Sequence, residues 1–399
     1  MGQRLENLEQ FAIDVILERR QGFRAGVLRG ILYLFSLVYE RLVQLRLTLY
    51  RRRIFRERTL GCLVISIGNL TVGGTGKTPI VEKFARALQS GGRRVAILSR
   101  GYRSVPKTPP PGRLARLLGQ RDDTPPRVVS DGKAVLLDSL TAGDEPYMLA
   151  HNLKDVIVLV DPNRVKCGLF AIDKWGVDTL LLDDGLQYLH LKHRLDVVLI
   201  DRQAPFGNEF LLPRGTLREP PRNLRRASYI FITKSTGASN EDLIKRIRRY
   251  NRTAEIIECA HRPLYLQHLL TGERLPLDRL RDTFIGAICG IAAPESFEGG
   301  LRNLGAKLDL AKRYIDHHRY TEAEILGFIN RCMRRDLEMI ITTEKDAVRM
   351  PRISQSEMKV PMYFLRVEIE ILSGHESWEH CVARICKPQP LLSPERFFA

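Results

Sequence analysis

The sequence lacks paired cysteines, and it predicts neither a cleavable leader nor a membrane-spanning run. Its seven cysteines are scattered and none forms a C-x-x-C pair, which argues against a zinc site or a disulfide framework. We therefore expect reduced cysteines and a cytosolic environment. Acidic residues come first and no small-residue cleavage site follows, so no secretory signal is predicted. The most apolar stretch, residues 26–39, contains Arg29 and is shorter than the roughly 20 residues that cross a bilayer.

Acidic residues are scarce relative to basic ones. The chain has 63 Lys and Arg against 46 Asp and Glu, a formal net charge of +17. Such an excess suggests an anionic partner, either nucleic acid, a membrane surface or a phosphorylated substrate. Otherwise the composition is that of a soluble globular protein, and 399 residues predict one large or two modest domains.

The N-terminal segment, residues 1–58, differs from the rest of the chain. Between Arg41 and Arg58 there are seven arginines and one glutamate. A basic, partly apolar helix is typical of an interfacial membrane anchor. A helical hairpin packed on the body fits the pattern equally well, and a nucleic-acid arm fits it less well. The apolar residues that could share one helical face are Leu42, Leu45, Leu49 and Phe55.

From residue 60 onward, strand-like runs alternate with helix-like segments, and no internal repeat is visible. This alternation predicts a doubly wound, mostly parallel α/β sheet with a smaller α/β subdomain. Residues 104–126 predict a Pro-rich loop over a binding face. The strands are predicted at 62–68, 94–99, 156–161, 178–183, 196–201, 228–233, 254–260, 284–289, 338–343 and near 361–370, and the helices at 78–90, 144–152, 163–175, 240–250, 294–304 and 321–334.

A glycine-rich loop connects the first core strand to a helix. The sequence NLTVGGTGKTP ends in Gly76-Lys77-Thr78, although Thr71 stands where the strict phosphate-loop pattern has glycine. Glycines let backbone N–H groups close around a phosphate, and the helix N-terminus adds a positive dipole end. Lys77 would reach the β- and γ-phosphates, and the Thr78 hydroxyl would bind Mg²⁺.

An acidic pair ends another apolar strand, in DTLLLDDG at residues 178–185. Carboxylates at the end of a buried strand can hold Mg²⁺, directly or through water. Because parallel strands present their carboxyl ends at one crevice, Asp183 and Asp184 should face the phosphate loop. A solvated turn is the alternative if the pair is considered alone.

Three further segments contain residues that could be either catalytic or binding residues or ordinary structural ones. Asp144 opens a helix in Gly-Asp-Glu-Pro, where it could be an N-cap or a general base. In residues 314–320, His317 and His318 could bind metal, but a His–carboxylate pair is the commoner catalytic use. Residues 207–228 contain five arginines in an irregular segment that suits anion binding or is merely solvated.

Taken in order, these motifs resemble the tetraacyldisaccharide 4′-kinase family, the lipid A kinases of Gram-negative bacteria. The resemblance runs from about residue 60 to residue 350. The matching segments are NLTVGGTGKTP (69–79), SRGY (99–102), GDEP (143–146), DDGLQ (183–187), LLPRGTLREP (211–220), ITK (232–234), CGIAAPESF (289–297), DHHRY (316–320) and TTEKDAVR (342–349).

The resemblance implies an ATP- and Mg²⁺-dependent transfer of phosphate to the 4′-hydroxyl of a tetraacyl glucosamine disaccharide 1-phosphate, giving lipid IVA. It implies a base role for Asp144 paired with His317, beside Lys77. The nucleotide would lie on Gly73, Gly74, Thr75, Gly76, Lys77, Thr78 and Gln187. Mg²⁺ would lie on Thr78, Asp183 and Asp184, and the acceptor on Asn69, Glu145, Arg218 and Glu219. The family's DDGFQH reads DDGLQY here, so no role is assigned to Tyr188.

The expected organisation is a membrane-associated helical segment at 1–58, a P-loop kinase core at 59–235 and a C-terminal α/β part at 236–399. The resemblance also implies the cytoplasmic face of the bacterial inner membrane as the location, with peripheral or monotopic attachment through residues 1–58. No nucleic acid and no obligate protein partner are expected. The alternatives are a membrane-tethered P-loop nucleotide switch that binds a protein and, less favoured, a nucleic-acid-dependent ATPase.

Overall fold

The computed structural model describes residues 11–102, 104 and 124–387. Most of the Pro-rich segment predicted at 104–126 therefore lies outside the described residues, as do residues 1–10 of the N-terminal segment and 388–399 of the C-terminal part. Within the described residues, strands and helices alternate along the chain as the sequence predicts.

The described residues include thirteen strands and ten α-helices. The strands are β1 Leu63–Asn69, β2 Val95–Ser99, β3 Arg127–Asp131, β4 Ile157–Val160, β5 Thr179–Asp183, β6 Leu195–Asp201, β7 Tyr229–Thr233, β8 Glu255–His268, β9 Arg274–Leu275, β10 Phe284–Cys289, β11 Lys307–Arg313, β12 Met339–Thr343 and β13 Met362–Ser373. The helices are α1 Phe23–Arg51, α2 Lys77–Ser90, α3 Ser139–Ala142, α4 Asp144–Asn152, α5 Arg164–Trp175, α6 Glu241–Arg248, α7 Pro294–Asn303, α8 Glu322–Met333, α9 Glu344–Ala347 and α10 His375–Cys386.

These strands form one sheet in the order β11-β10-β12-β13-β8-β7-β6-β1-β5-β2-β4-β3, with β9 paired to β8. Three pairings are antiparallel, β3 with β4, β8 with β13 and β8 with β9, and the others are parallel. The mostly parallel α/β fold predicted from the sequence is thus confirmed. Because β1 lies between β5 and β6, the carboxyl ends of these three strands meet at one edge of the sheet.

The first half of the sheet is covered on both faces. Ile65 and Ile67 of β1 belong to one core cluster with Phe84 of α2, whereas Val64 points into a second cluster with Cys167 of α5. This alternation follows from the two-residue period of a strand. Each such buried side chain contributes roughly 1.5–3 kcal/mol to stability, so the two layers hold the sheet edge rigidly.

The long strand β8 joins the two halves of the sheet. Its first residues pair in parallel with β7, and the remainder pairs antiparallel with β13. Beyond β13, a separate core forms around Phe328 of α8 and Ile340 of β12. A capping box between Thr321 and Glu324 fixes the start of α8.

Several elements differ from the sequence-based expectation. The predicted strand 254–260 continues to His268, since a register shift beside Pro263 lets the ladder absorb the proline. The strands β3 and β11 and the helix α10 were not predicted. In the described part of the N-terminal segment, residues 11–16 are helical and precede the 29-residue helix α1, and Phe55 lies beyond the end of α1, so Phe55 does not share a helical face with Leu42.

Candidate active site

The phosphate loop lies between β1 and α2, as predicted. Gly76 has φ 78° and precedes Lys77, the first residue of α2. A Cβ on Gly76 would lie 3.0 Å from the His261 ring, so the backbone angle and the tight contact both favour glycine. The Thr233 hydroxyl at the end of β7 donates to the Thr75 carbonyl at 3.0 Å and ties the loop to the neighbouring strand.

Lys77 lies among the polar groups at the strand ends. Its ammonium donates to Asn69 Oδ1 at 3.2 Å and lies 3.6 Å from Asp184 Oδ1. Arg218 holds the same Asp184 carboxylate through two 2.8 Å hydrogen bonds. Burial alone would raise the pKa of Asp184, but the Arg218 hydrogen bonds and the Lys77 charge lower it to about 2. Asp184 is therefore ionised and neutralised by two cations.

Asp183 has a different environment from its neighbour. Its Oδ2 accepts a hydrogen bond from Ser99 of β2 at 3.1 Å, whereas its buried Oδ1 has no hydrogen-bond partner among the described residues. Burial, followed by the charges of Glu145 and Asp184, raises the pKa of Asp183 to about 7. An orphaned buried carboxylate oxygen is a binding position for a cation, and Thr78 is buried at the start of α2.

The half-buried Gln187 and the buried Glu219 are hydrogen-bonded to each other next to this cluster. Gln187 donates to the Asn69 carbonyl at 3.1 Å and to Glu219 Oε1 at 3.0 Å. Glu219 also accepts hydrogen bonds from Asn223 at 2.8 Å and from Arg226 at 2.7 Å. The Glu219 carboxylate is thus fully engaged inside the protein, and its geometry favours a positioning role over direct contact with an acceptor.

A second cluster forms where α4 meets the second half of the sheet. His317 Nδ1 lies 3.1 Å from Asp144 Oδ2, so the predicted pair exists although 173 residues separate its members. Gly143 is the N-cap and Asp144 is the first helical residue, and no side chain forms a capping hydrogen bond at this helix start. The N-cap alternative for Asp144 is therefore wrong.

Arginines lower the pKa of Asp144. Arg349, a fully buried side chain, donates from Nε to Asp144 Oδ2 at 2.8 Å, and Arg319 reaches Oδ1 at 3.3 Å. Burial alone would raise the pKa of Asp144, but the hydrogen bond from His317 and the charge of Arg349 bring it below its usual range. The carboxylate is therefore ionised at neutral pH.

Glu145 links the two clusters. Its carboxylate lies 3.3 Å from the ammonium of Lys345, which comes from α9 in the second half of the sheet. The charge of Glu145 also contributes to the raised pKa of Asp183 in the first cluster. The structure therefore brings the phosphate loop, the acidic pair and the Asp144–His317 pair to one region.

Most charged side chains of the other candidate segments are paired with charged side chains of the protein itself. Four of the five arginines in residues 207–228 form ion pairs, namely Arg214 with Glu18, Arg218 with Asp184, Arg222 with Glu40 and Arg226 with Glu219. His318 lies 3.1 Å from Glu324 at the start of α8. Across residues 11–102, 104 and 124–387, no group of three or more His, Cys, Asp or Glu side chains is arranged to hold a metal ion.

The roles of Lys345, Arg349 and Arg319 were not predicted from the sequence. The segment TTEKDAVR contributed to the family resemblance, but no role was assigned to its cations. The signal was present, since a Lys and an Arg four residues apart follow an apolar strand end. Their partners lie about 200 residues away in the chain, and only the folded structure reveals them.

Helix α1 packs against the body next to this region. The Tyr39 hydroxyl donates to the Arg218 carbonyl at 3.1 Å, and Gln44 donates to Asn223 at 3.1 Å. The opposite side of α1 carries exposed apolar residues at helical spacing: Val27, Ile31, Leu34, Val38, Leu42 and Leu45. Among the residues that the structure describes, no helix is long and apolar enough to cross a membrane.

Comparison with known proteins places this arrangement in a family. The family model described as tetraacyldisaccharide-1-P 4′-kinase matches residues 28–387. A tetraacyldisaccharide 4′-kinase from Syntrophus aciditrophicus is 38% identical over 374 residues, which cover 90% of this chain and 93% of that protein. One from Anaeromyxobacter dehalogenans is 37% identical and covers 93% of this chain and 94% of its own length.

A solved structure gives the same result. The crystal structure of the "apo" form of LpxK from Aquifex aeolicus in complex with ATP superposes with a TM-score of 0.68 and is 27% identical, covering 90% of this chain and 99% of that one. The resemblance inferred from the motifs is thus confirmed. The chain belongs to the tetraacyldisaccharide-1-P 4′-kinase family.

Proposed function

We propose that this kinase transfers the γ-phosphate of ATP to the 4′-hydroxyl of a tetraacyl glucosamine disaccharide 1-phosphate, forming lipid IVA. One observation carries the proposal. The phosphate-loop lysine and the acidic strand end lie in one region with a His–carboxylate pair contributed by the second half of the sheet. A kinase needs both parts, one to hold the nucleotide phosphates and one to take the proton of the hydroxyl.

The nucleotide phosphates would lie on the loop from Gly73 to Thr78. Backbone N–H groups there and the N-terminus of α2 favour negative charge. Lys77, whose ammonium is pre-positioned by Asn69, would contact the β- and γ-phosphates. The ATP in the related crystal structure supports this assignment.

Asp183 and Thr78 fit a magnesium ion better than Asp184 does. Asp183 Oδ1 is buried without a hydrogen-bond partner in the described part of the chain, whereas Asp184 is occupied by Arg218 and Lys77. Bound Mg²⁺ would neutralise charge on the transferred phosphoryl group and hold Asp183 in its ionised form. Asp184 would instead keep Lys77 and Arg218 in place.

The acceptor hydroxyl would be activated at the Asp144–His317 pair. As the O–H bond breaks, its proton passes to the pair and the hydroxyl oxygen forms a bond to the γ-phosphorus. The bond from that phosphorus to the bridging oxygen breaks, and ADP leaves with the electron pair. Since the buried Arg349 and His317 hold Asp144 rigidly, little reorganisation is needed when the acceptor arrives.

Glu145 and Arg218 remain candidates for contacts with the sugar. Glu145 lies between the two clusters, where it could accept a hydrogen bond from a sugar hydroxyl while Lys345 holds its other side. Arg218 is engaged with Asp184, and Asn69 with Lys77, so these two residues contribute first to the shape of the phosphate site.

The lipid acceptor requires work at a membrane surface. We propose that the apolar stripe of α1 inserts into the interface, with the flanking arginines on anionic headgroups. The stripe lies opposite the side of α1 that contacts Arg218, so the helix would hold the active site close to the bilayer. Attachment would be monotopic, on the cytoplasmic face of the inner membrane where ATP is present.

A transfer assay tests the proposal. Full-length protein is incubated with γ-labelled ATP, Mg²⁺ and the lipid disaccharide in detergent micelles, and the lipid is separated by chromatography. We expect label in the lipid, and none with Lys77→Ala. Release of labelled inorganic phosphate at a rate indifferent to the lipid would instead favour the nucleotide switch.

A further inference from the structure

Lys345 contacts the nitrogen of His317 that faces away from Asp144. The lysine ammonium lies 3.3 Å from His317 Nε2. The same ammonium lies 3.3 Å from Glu145 and 3.9 Å from Asp316. The lysine thus forms ion pairs with two carboxylates as well as its contact with the histidine. His317 therefore lies between a carboxylate and an ammonium.

The partners of His317 fix the position of its proton. A carboxylate only accepts hydrogen bonds and an ammonium only donates them. Asp144 beside Nδ1 therefore calls for a proton on Nδ1, and Lys345 beside Nε2 calls for a lone pair there. This pattern describes a neutral imidazole with one defined tautomer.

One further donor approaches Nδ1, at a longer distance than Asp144 does. Arg349 NH2 lies 3.4 Å from Nδ1, but its Nε and NH1 are committed to Asp144 and the Gly290 carbonyl. The charged or aromatic groups around the ring are Asp144 from α4, Lys345 from α9, Arg349 after α9, Asp316 beside it in the chain and the Tyr102 ring 5.7 Å away.

The backbone that carries Lys345 is held on both sides. Before it, Glu344 forms hydrogen bonds of 2.7 and 2.9 Å with Arg366 of β13. After it, the buried Asp346 accepts hydrogen bonds from Tyr320 and the Gly290 N–H at 3.0 and 3.1 Å. A side chain on such an anchored turn is placed with little loss of conformational freedom.

We propose that Lys345 is a positioning residue for the proton transfer. It holds His317 neutral, with the imidazole proton directed at Asp144, so that the pair is ready to accept the hydroxyl proton. The inference rests on the proposed function. It adds to that function a defined protonation state of the pair and a residue from the second half of the sheet that sets it.

The pH profile of kcat/KM for lipid phosphorylation tests this role. Removing a nearby positive charge favours protonation of both His317 and Asp144, and the reaction needs the pair unprotonated. In Lys345→Met and Lys345→Gln, we expect the acid limb to move up by about one pH unit. On the acid limb itself the rate should therefore fall by up to about tenfold at a given pH. Lys345→Arg should return the limb to its original position, and Lys359→Met, at an exposed lysine before β13, should match the unaltered protein.

The His317→Asn background separates positioning from a general structural effect. If Lys345 acts through His317, Lys345→Gln should cost little more activity in that background. An acid limb that stays in place in both the Met and Gln variants would overturn the inference, as would an equal further loss in the His317→Asn background. Failure of the unaltered protein to label the lipid would instead refute the proposed function.

Discussion

At the scale of single residues, the two adjacent aspartates have opposite environments. Asp184 is neutralised by Lys77 and Arg218 and has a pKa of about 2, whereas Asp183 is buried, half-satisfied and has a pKa of about 7. The sequence DD cannot distinguish them, because the difference comes from Arg218, 34 residues from Asp184, and from the burial of Asp183 beside the charge of Glu145. The sequence predicted the acidic pair and its location, but only the folded structure shows which aspartate is paired with cations and which has an unpartnered oxygen.

Asp183→Asn should raise the stability of the metal-free protein while it lowers the kinase activity. The folded-state pKa of Asp183 is raised above its unfolded value, so the metal-free fold binds this proton more tightly and loses stability as pH rises toward 7. An amide removes the charge, and we expect the metal-free variant to be about 1–3 kcal/mol more stable at pH 8. Kinase activity should fall by orders of magnitude. Urea unfolding at pH 5 and pH 8 measures the first effect.

A matched control is Asp242→Asn on the exposed part of α6, which should change neither quantity. Equal stability of Asp183→Asn and the unaltered protein at pH 8 would show that the ionised carboxylate carries no burial cost. That result would weaken the assignment of its free oxygen to a cation.

Asp144→Asn tests the proton acceptor. The amide keeps the volume beside Arg349 but cannot take up the hydroxyl proton, and we expect kcat to fall by about 10²–10⁴. The dissociation constant for Mg·ATP should stay close to that of the unaltered protein, since the phosphate loop lies on other elements. Steady-state kinetics with an equilibrium ATP-binding measurement would check both, and unchanged turnover would remove Asp144 from the reaction.

At the scale of elements, helices and strands with clear local cues were predicted from the sequence, whereas elements that depend on distant parts of the chain were not. Helix α4 begins at Asp144 and ends at Asn152 as expected, because Gly143 and the Asp-Glu-Pro start are local cues. Strand β11 was missed because its residues alternate between exposed and half-buried positions at the sheet edge. Helix α10 was not predicted either. Its Trp378 packs against Phe84 and Phe231, which are distant in the sequence, so this contact is not visible in the local pattern.

The exposed stripe of α1 should control membrane attachment. Leu34 and Leu42 are 64% and 59% exposed, and each would gain roughly 1.5–3 kcal/mol on burial in lipid. We expect Leu34→Glu with Leu42→Glu to reduce binding to anionic phospholipid vesicles by at least about a hundredfold. Leu169→Glu, at a leucine of α5 that is 53% exposed, should leave binding unchanged. Equal sedimentation of all three proteins with vesicles would contradict an anchoring role for α1.

At the scale of the whole molecule, a buried ionic network joins the two halves of the sheet. Arg366 of β13 forms hydrogen bonds with Glu82 of α2 and Glu344 of α9, and Asn152 at the end of α4 bonds to both glutamates. The same three helices contain the site residues: Lys77 is in α2, Lys345 in α9 and Asp144 in α4. The network therefore sets the relative placement of the two clusters, which no local pattern in the sequence reveals.

Arg366→Met should destabilise the protein strongly. It leaves two carboxylates without their central cation, and removing one partner of a buried pair costs about 3–5 kcal/mol. Replacing Glu82, Glu344 and Arg366 together by Met should recover much of that stability. Arg262→Met, at the exposed arginine that pairs with Glu370, should cost less than about 1 kcal/mol. A loss in Arg366→Met no larger than in Arg262→Met, measured by urea unfolding, would show that the network does not join the halves.

The central claim is that the phosphate loop and the Asp144–His317 pair serve one reaction. The most direct measurement is a crystal structure with Mg²⁺ and a non-hydrolysable ATP analogue. The account predicts Mg²⁺ on Thr78 and Asp183 Oδ1, the terminal phosphate on Lys77, and its open face toward Asp144 and His317. Nucleotide phosphates bound away from Lys77, or a terminal phosphate that faces away from the Asp144–His317 pair, would contradict it.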